Sequence, residues 1–313
     1  MGFDFDAAVQ APFRMQPGLR RLAPGARQLR PNLPGDRALS EKLAVLSTDW
    51  GRALLQAEGF DAAPALTALS RHAAAEHPEA WRCDGGDPGA LRLGWALHQD
   101  QPVALTESAP AEVGACLRAL PAQWRFAGLL ALAFAEDFAI VDATSGSIPW
   151  LAVCLPSHWS PEEKVGRPFA EVHAPVADNV LIVKAADHLM RLVSGDERWE
   201  RFVWTITSHP RLNAHPREIA AARWPTEASV DELAAQAFWR TERQTFIPLP
   251  ERRQAVFTIG VELQPLAAAI DTPARAARLH AALSTMSPAV LDYRSLAAAQ
   301  PRLLAWLAAR AAA

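Results

Sequence analysis

The residues best placed to do chemistry lie in two stretches. The first, LAVCLPSHWSPEEKVGRPFAEVHAPVADN, runs from Leu151 to Asn179 and contains His173, set between Val172 and the pair Ala174-Pro175. Pro168 and Pro175 restrict the chain around that histidine, which lowers the entropy cost of holding an imidazole still. A lone histidine is ordinarily structural. One fixed in so apolar a neighbourhood can also bind an iron, and a single axial imidazole is enough to anchor a haem. The second stretch is Trp239-Arg-Thr-Glu-Arg-Gln-Thr-Phe246. Read as a strand, it places Arg243 on one face with Thr245, Ile247 and Leu249, and Glu242 on the other with Arg240, Gln244 and Phe246. A buried arginine needs an anion. Arg243 therefore either forms an arginine–glutamate pair that fixes strand order, or faces a propionate or a substrate. Lys164-Val-Gly-Arg167 is a basic turn near His173, either solvated or gripping the same anions.

Other chemistries lack an anchor. There is no HExxH, GxSxG, P-loop or GxGxxG. His72, His77, His98 and His280 read as surface or helix-face residues, and the spacing of His209 and His215 is not that of metal ligands. Glu136-Asp137 reads as a solvated helix end rather than an acid/base pair. Cys83, Cys116 and Cys154 are odd in number and far apart, which excludes a disulfide framework and fits a reducing cytoplasm. A net charge of -3 over 313 residues argues against nucleic acid and anionic membrane as partners. The N-terminus is acidic without an apolar core, and the longest apolar run, Phe126 to Ala135, is about half a membrane span. The expectation is a cytoplasmic protein. Eleven tryptophans against one tyrosine supply large core aromatics, some of which can line a flat apolar site.

The elements that must position these residues follow from periodicity. Residues 1–39, rich in Pro and Arg, read as an irregular arm, and 40–313 as one domain. Helices are expected from Ser40, over about Pro64 to Glu76, over Pro121 to Phe134, from Asn179 to Leu192, briefly at Arg217 to Ala222, after Thr272, and from Ser295 to Ala311. Strands are expected at Leu91 to His98, Phe138 to Val141, Leu151 to Leu155, Arg201 to Thr207, Phe238 to Leu249 and Gln254 to Leu263. Gln101 to Ala104 and Glu112 to Leu120 stay ambiguous. In the last strand Ala255, Phe257, Ile259 and Val261 share one face. Helices, then antiparallel strands, then helices make an α+β layout.

At these residues a resemblance emerges. PSHWSPEEKVGRPFAEVHAPV is similar to the P-x-x-W-x-P-x-x-K-x-G-x-x-x-x-x-I-H-x-P-V block of the haem-dependent oxidative N-demethylase family, through Pro156, Trp159, Pro161, Lys164, Gly166, His173, Pro175 and Val176. RFVWTIT resembles its R-x-N-W-x-I strand through Arg201, Trp204 and Ile206. RTERQTFIPLP resembles its R-x-E-R-Q-T-L-x-x-L-P through Arg240, Glu242, Arg243, Gln244, Thr245, Leu249 and Pro250. The likeness runs from about residue 15 to the C-terminal helices. It implies a PAS-like antiparallel sheet with N- and C-terminal helical additions and one haem b. It implies oxidation of a methyl group on a secondary amine such as dimethylamine, with dioxygen consumed and formaldehyde released. Electrons would come from flavin and iron-sulfur partner subunits. It implies His173 as the axial ligand, Lys164, Arg201, Trp204 and Arg240 around the haem, and Glu242 and Arg243 orienting substrate or propionate. The chain departs from the family pattern at Ala135 before Glu-Asp, at Ala177, where a proline is usual, and at Val203, where an asparagine is usual. These departures bear on the substrate rather than the fold. A haem-binding sensor or carrier without turnover, and a haemless scaffold, are the alternatives.

Overall fold

The computed structural model describes residues 3–83, 87–173, 177–178, 183–219 and 224–312, without the side chain of His173. Its centre is a seven-stranded antiparallel sheet in the order β1-β9-β10-β11-β7-β8-β2. These strands are β1 (Arg20–Arg21), β2 (Leu54–Gln56), β7 (Asp137–Asp142), β8 (Ser147–Ala152), β9 (Trp199–Thr207), β10 (Phe238–Leu249) and β11 (Gln254–Pro265). A second antiparallel sheet holds β3 (Trp81–Arg82), β4 (Gly89–Ala90), β5 (Trp95–His98) and β6 (Gln101–Ala104). The architecture is α+β, with antiparallel sheets flanked by helices. Among the described residues no helix is long and apolar enough to cross a membrane.

The strands β10 and β11 form because β-formers recur with period two on both sides of a tight connection through Pro250 to Arg253. Their register sets Glu242 opposite Val261 and, on the other side, opposite Val203 of β9. Gln244 lies between Arg201 and Ile259, and Phe246 between Trp199 and Phe257. Those residues share one face. Thr241, Arg243 and Thr245 share the other, with Glu200, Gly260 and Glu262.

One end of that other face is covered by α2 (Arg37–Ala53), α3 (Ala63–Glu76), α4 (Ala111–Ala119) and α5 (Ala122–Ala133) around a core that includes Leu46, Leu69, Trp81, Phe134 and Trp150. A second core joins α1 (Phe5–Ala8), Trp204, Trp239 and the C-terminal helices Pro273–Ser284, Pro288–Tyr293 and Gln300–Ala311.

Several expectations need correction. The helix expected from Ser40 starts at Arg37, because the Asp36 carboxylate accepts from the Leu33 amide and closes the turn that launches it. Leu91 to Leu93 is a 3₁₀ turn, and the strand begins only at Trp95. The last helix begins at Gln300, after a separate helix at Pro288–Tyr293. Residues 216 to 218 form turns, and the rest of the short helix expected there reaches beyond the described residues. The helix expected from Asn179 is described from Ala186 to Val193, its expected start lying outside the described residues. His77 is not a surface residue. It is 3% exposed, and its Nε2–H donates to the Leu29 carbonyl at 2.8 Å.

Glu136-Asp137 is not a solvated helix end either: both residues are buried. Lys42, itself fully buried, donates to the Phe134 and Glu136 carbonyls at 3.1 and 2.6 Å and pairs with Asp137 Oδ1 at 3.1 Å. The second oxygen of Asp137 accepts from the Leu155 amide at 2.6 Å. A charge can be buried when a counter-charge and hydrogen bonds come with it, and here a helix distant in sequence supplies both.

Candidate functional site

The even-numbered face of β10 opens onto a cavity of ≈ 310 Å³. Its sheet side carries the apolar Val141, Leu151, Val203, Phe246, Phe257 and Ile259 beside the polar residues of β9 and β10. Opposite stand Phe169 and Val172 of α6 (Phe169–His173), and Leu189, Met190 and Val193 of the helix Ala186–Val193. Met15, Pro17 and Leu19 of the N-terminal arm, and Tyr293 and Arg294 from the C-terminal region, also line it. The volume is that of a small-ligand site, and the mixture of apolar walls with a few convergent polar groups is what such sites use.

The polar groups concentrate on β9, β10 and the segment after Leu155. Glu242 is 7% exposed. The Ser157 hydroxyl donates to its Oε1, and Gln244 Nε2 donates to its Oε2 at 2.5 Å. Three arginines surround this carboxylate. Arg201 lines the cavity with its Nε buried and without a hydrogen-bond partner among the described residues. Burial pulls its pKa down, and the charge of Glu242 opposes that fall. Arg294 donates to the Trp204 carbonyl, lies over the rings of Phe13 and Trp204, and is drawn down to about 10 by burial. Arg240 is 1% exposed and also drawn to about 10 by burial. Its guanidinium donates to Ser157 Oγ at 2.8 Å and to the carbonyls of Leu155, Pro156, Arg211 and Leu212. Arg240 therefore stitches the post-strand segment to β10, and its donors are already engaged.

The other residues expected at the site divide. Lys164 lines the cavity, and its Nζ donates to the Val172 carbonyl at 3.2 Å, tying the basic turn to α6. Burial lowers its pKa. Trp204 borders the cavity, but its indole N–H donates to the Ala8 carbonyl and its ring stacks on Trp239, 5.0 Å between centroids. Arg243 is not brought together with Glu242. It points to the opposite face, with Nε 3.0 Å from Glu200 Oε2 on β9 and Nη1 2.7 Å from the Arg27 carbonyl. Of the two roles open to it, the strand-ordering ion pair is the one it makes, with Glu200 as partner. His173 ends α6, whose Phe169 and Val172 face the cavity, but its side chain lies outside the described residues. Among the described residues no group of three or more His, Cys, Asp or Glu could hold a metal ion.

Sequence reasoning passed over His158, Ser157 and Arg294. His158 lines the cavity with φ +63°, a left-handed conformation that a side chain of this size rarely adopts. Its ring meets that of His209 edge-on, 5.3 Å between centroids. Its position inside PSHW was the only available signal. Burial, with the charges of Arg240 and His209 adding to it, lowers the His158 pKa to about 4. Burial and Arg240 lower that of His209 to about 4 as well. Both imidazoles are thus neutral in the folded protein where the unfolded chain, near 6.5, already takes up protons. That contribution to stability is complete above 6.5 and is lost as pH falls toward 4. Urea midpoints should decline steadily across that window. The decline should be shallower in His158→Gln and His209→Gln, and an unchanged slope in both would show that neither imidazole is held neutral.

A family model described as haem-dependent oxidative N-demethylase, alpha subunit-like, matches residues 114–304, more than half of the chain. The matched stretch includes β7 to β11 and α6, and so nearly all of the cavity wall.

Proposed function

The chain belongs to the haem-dependent oxidative N-demethylase, alpha-subunit-like family, and from that premise we propose that it binds haem b in the cavity beside Glu242 and oxidises the methyl group of a small secondary amine. Two features of the cavity fit such a group. Apolar side chains from the sheet, from α6 and from the helix Ala186–Val193 offer contact surface to a macrocycle, and the Arg201 Nε, without a hydrogen-bond partner among the described residues, with Lys164 and Arg294 in the same lining, suits its anionic edge. His173 is our choice of axial ligand, at the end of the helix whose Phe169 and Val172 border that space.

The observation that carries the substrate assignment is Glu242, the one carboxylate that lines the cavity among the described residues. A dialkylamine is a cation at neutral pH, and in a water-poor cavity it needs an anion beside it. Ser157 and Gln244 hold the carboxylate in one orientation, and Val203, its cross-strand neighbour on β9, lines the cavity and offers apolar surface to alkyl groups. Glu242 can then take the ammonium proton and release the neutral amine, whose methyl C–H bond is the one to be oxidised. When bound, haem supplies the dioxygen-dependent oxidation, with the methyl carbon leaving as formaldehyde. The electrons for dioxygen come, in this reading, from flavin and iron-sulfur partner subunits. A PAS-like ancestry for the sheet belongs to the same reading.

The test begins with colour. Purified protein should show a Soret band, and with a reductant and dimethylamine it should release formaldehyde. His173→Ala should lose the normal Soret spectrum while keeping its folded far-ultraviolet circular dichroism. A normal spectrum in that variant removes His173 as ligand. A haem-bearing protein that never releases formaldehyde from any small secondary amine removes the enzymatic assignment.

A further inference from the structure

The odd-numbered face of β10 lines a second cavity, ≈ 360 Å³, on the far side of the sheet from the first. Thr241 and Arg243 of β10 and Gly260 and Glu262 of β11 contribute its sheet side. The N-terminal arm crosses it with Arg27, Leu29, Arg30 and Pro31, and Phe3, His77, Arg92 and Glu136 close the remainder. Nothing in the proposed amine chemistry uses this space.

Its charges are unequally matched. Arg30 pairs with Glu262 at 2.7 Å, Arg92 with Glu79 at 2.9 Å, and Arg243 with Glu200 at 2.9 Å. Arg27 has no carboxylate partner among the described residues. Its nearest polar side-chain contact is His77 Nδ1, at 3.5 Å. His77 Nε2–H serves the Leu29 carbonyl, and Nδ1 lies between the Arg27 guanidinium and the Glu79 carboxylate, 3.4 Å from Glu79 Oε1. The remaining acid, Glu136, does not balance the surplus. It is buried, which raises its pKa, and its Oε2 is taken by the Arg30 amide at 2.8 Å. Its other oxygen lies against Gly260, where a Cβ would stand 3.3 Å from it. Gly260 thus keeps the floor clear beside that carboxyl group.

A guanidinium without a carboxylate partner among the described residues, lining one cavity with a carboxyl group that burial favours in its proton-donating form, is an arrangement that accepts a carboxylate: N–H donors from the one and an O–H from the other. Phe3, Leu29 and Pro31 add apolar surface for a short hydrocarbon body. We propose that this cavity is a second ligand site, which binds a small organic monocarboxylate with its carboxylate on Arg27 and its hydrocarbon part against Phe3, Leu29 and Pro31.

Titration calorimetry on the full chain, with butyrate and inorganic phosphate as probes, tests this. Butyrate should bind saturably, one per chain, and more tightly than phosphate, which has no apolar part. Arg27→Glu should raise the butyrate Kd by at least about tenfold, since a charge-assisted contact becomes a repulsion. Gly260→Val, which fills the floor, should do the same. Arg27 is exposed and its replacement should leave the fold intact, which the circular dichroism and, if haem is present, the Soret band will register. Those spectra do not depend on this site, so loss of butyrate binding is separable from failure of the haem assignment. Absence of saturable heat, phosphate binding as tightly as butyrate, or an unchanged Kd in Arg27→Glu would each overturn the proposal.

Discussion

Glu242→Gln should give a protein that keeps its Soret band and loses turnover, with kcat/KM for a secondary amine down by at least about 100-fold, the scale for removing one partner of a buried charge pair. The substitution preserves shape and keeps a hydrogen-bonding group for Ser157 and Gln244. It removes the negative charge and turns one acceptor oxygen into an N–H donor, which the Gln244 amide can meet by turning its own oxygen toward it. The cavity would then carry Lys164, Arg201, Arg240 and Arg294 with no carboxylate in its lining among the described residues, and a cationic amine would meet a uniformly positive site. Formaldehyde release under a reductant is the measurement, read beside the absorption spectrum. Undiminished release by the variant would mean that the amine does not rest on this carboxylate.

The second large effect is on stability. Lys42→Met should cost about 3–5 kcal/mol, the usual consequence of breaking a buried ion pair from one side. The methionine fills much the same space but leaves the buried Asp137 carboxyl group without its counter-charge and strips a donor from the Phe134 and Glu136 carbonyls. Because Asp137 also receives the Leu155 amide, the loss reaches the segment that carries Ser157 and His158. Urea denaturation should show the midpoint fall with little change in slope. Adding Asp137→Asn should recover part of the loss, because the orphaned charge goes. A double variant no more stable than Lys42→Met would place the cost in the carbonyls instead.

What the sequence could disclose depended on how local each cause is. The alternation through β10 and β11 is written in consecutive residues, so the opposite faces taken by Glu242 and Arg243 are legible from the chain alone. The partner of Arg243 is not. Glu200 reaches it only through the β9–β10 register, which no short-range pattern specifies. Glu136-Asp137 looked like a solvated helix end because the cation that permits its burial sits almost a hundred residues earlier, in α2. The α4 stretch was ambiguous because Gly114 interrupts it. The structure gives the reason: a Cβ there would collide with the Trp95 ring. Arg294 had no signal at all, since it enters the cavity from the C-terminal region by tertiary packing. The family pattern lent specificity to His173, Arg201 and Glu242 that spacing alone could not.

β10 is a party wall between two chambers, one where Glu242 sits among arginines and apolar side chains, the other crossed by the arginines of the N-terminal arm. Which chamber a side chain enters is a matter of parity. Inserting one residue ahead of Glu242 would send Arg243 into the first chamber and the glutamate out of it, whereas inserting two would restore the original parity. The bonds that hold the count are on the far side: Arg243 to Glu200, and Thr245 to both Thr258 and Gln28. The chamber behind the wall therefore keeps the one in front in frame.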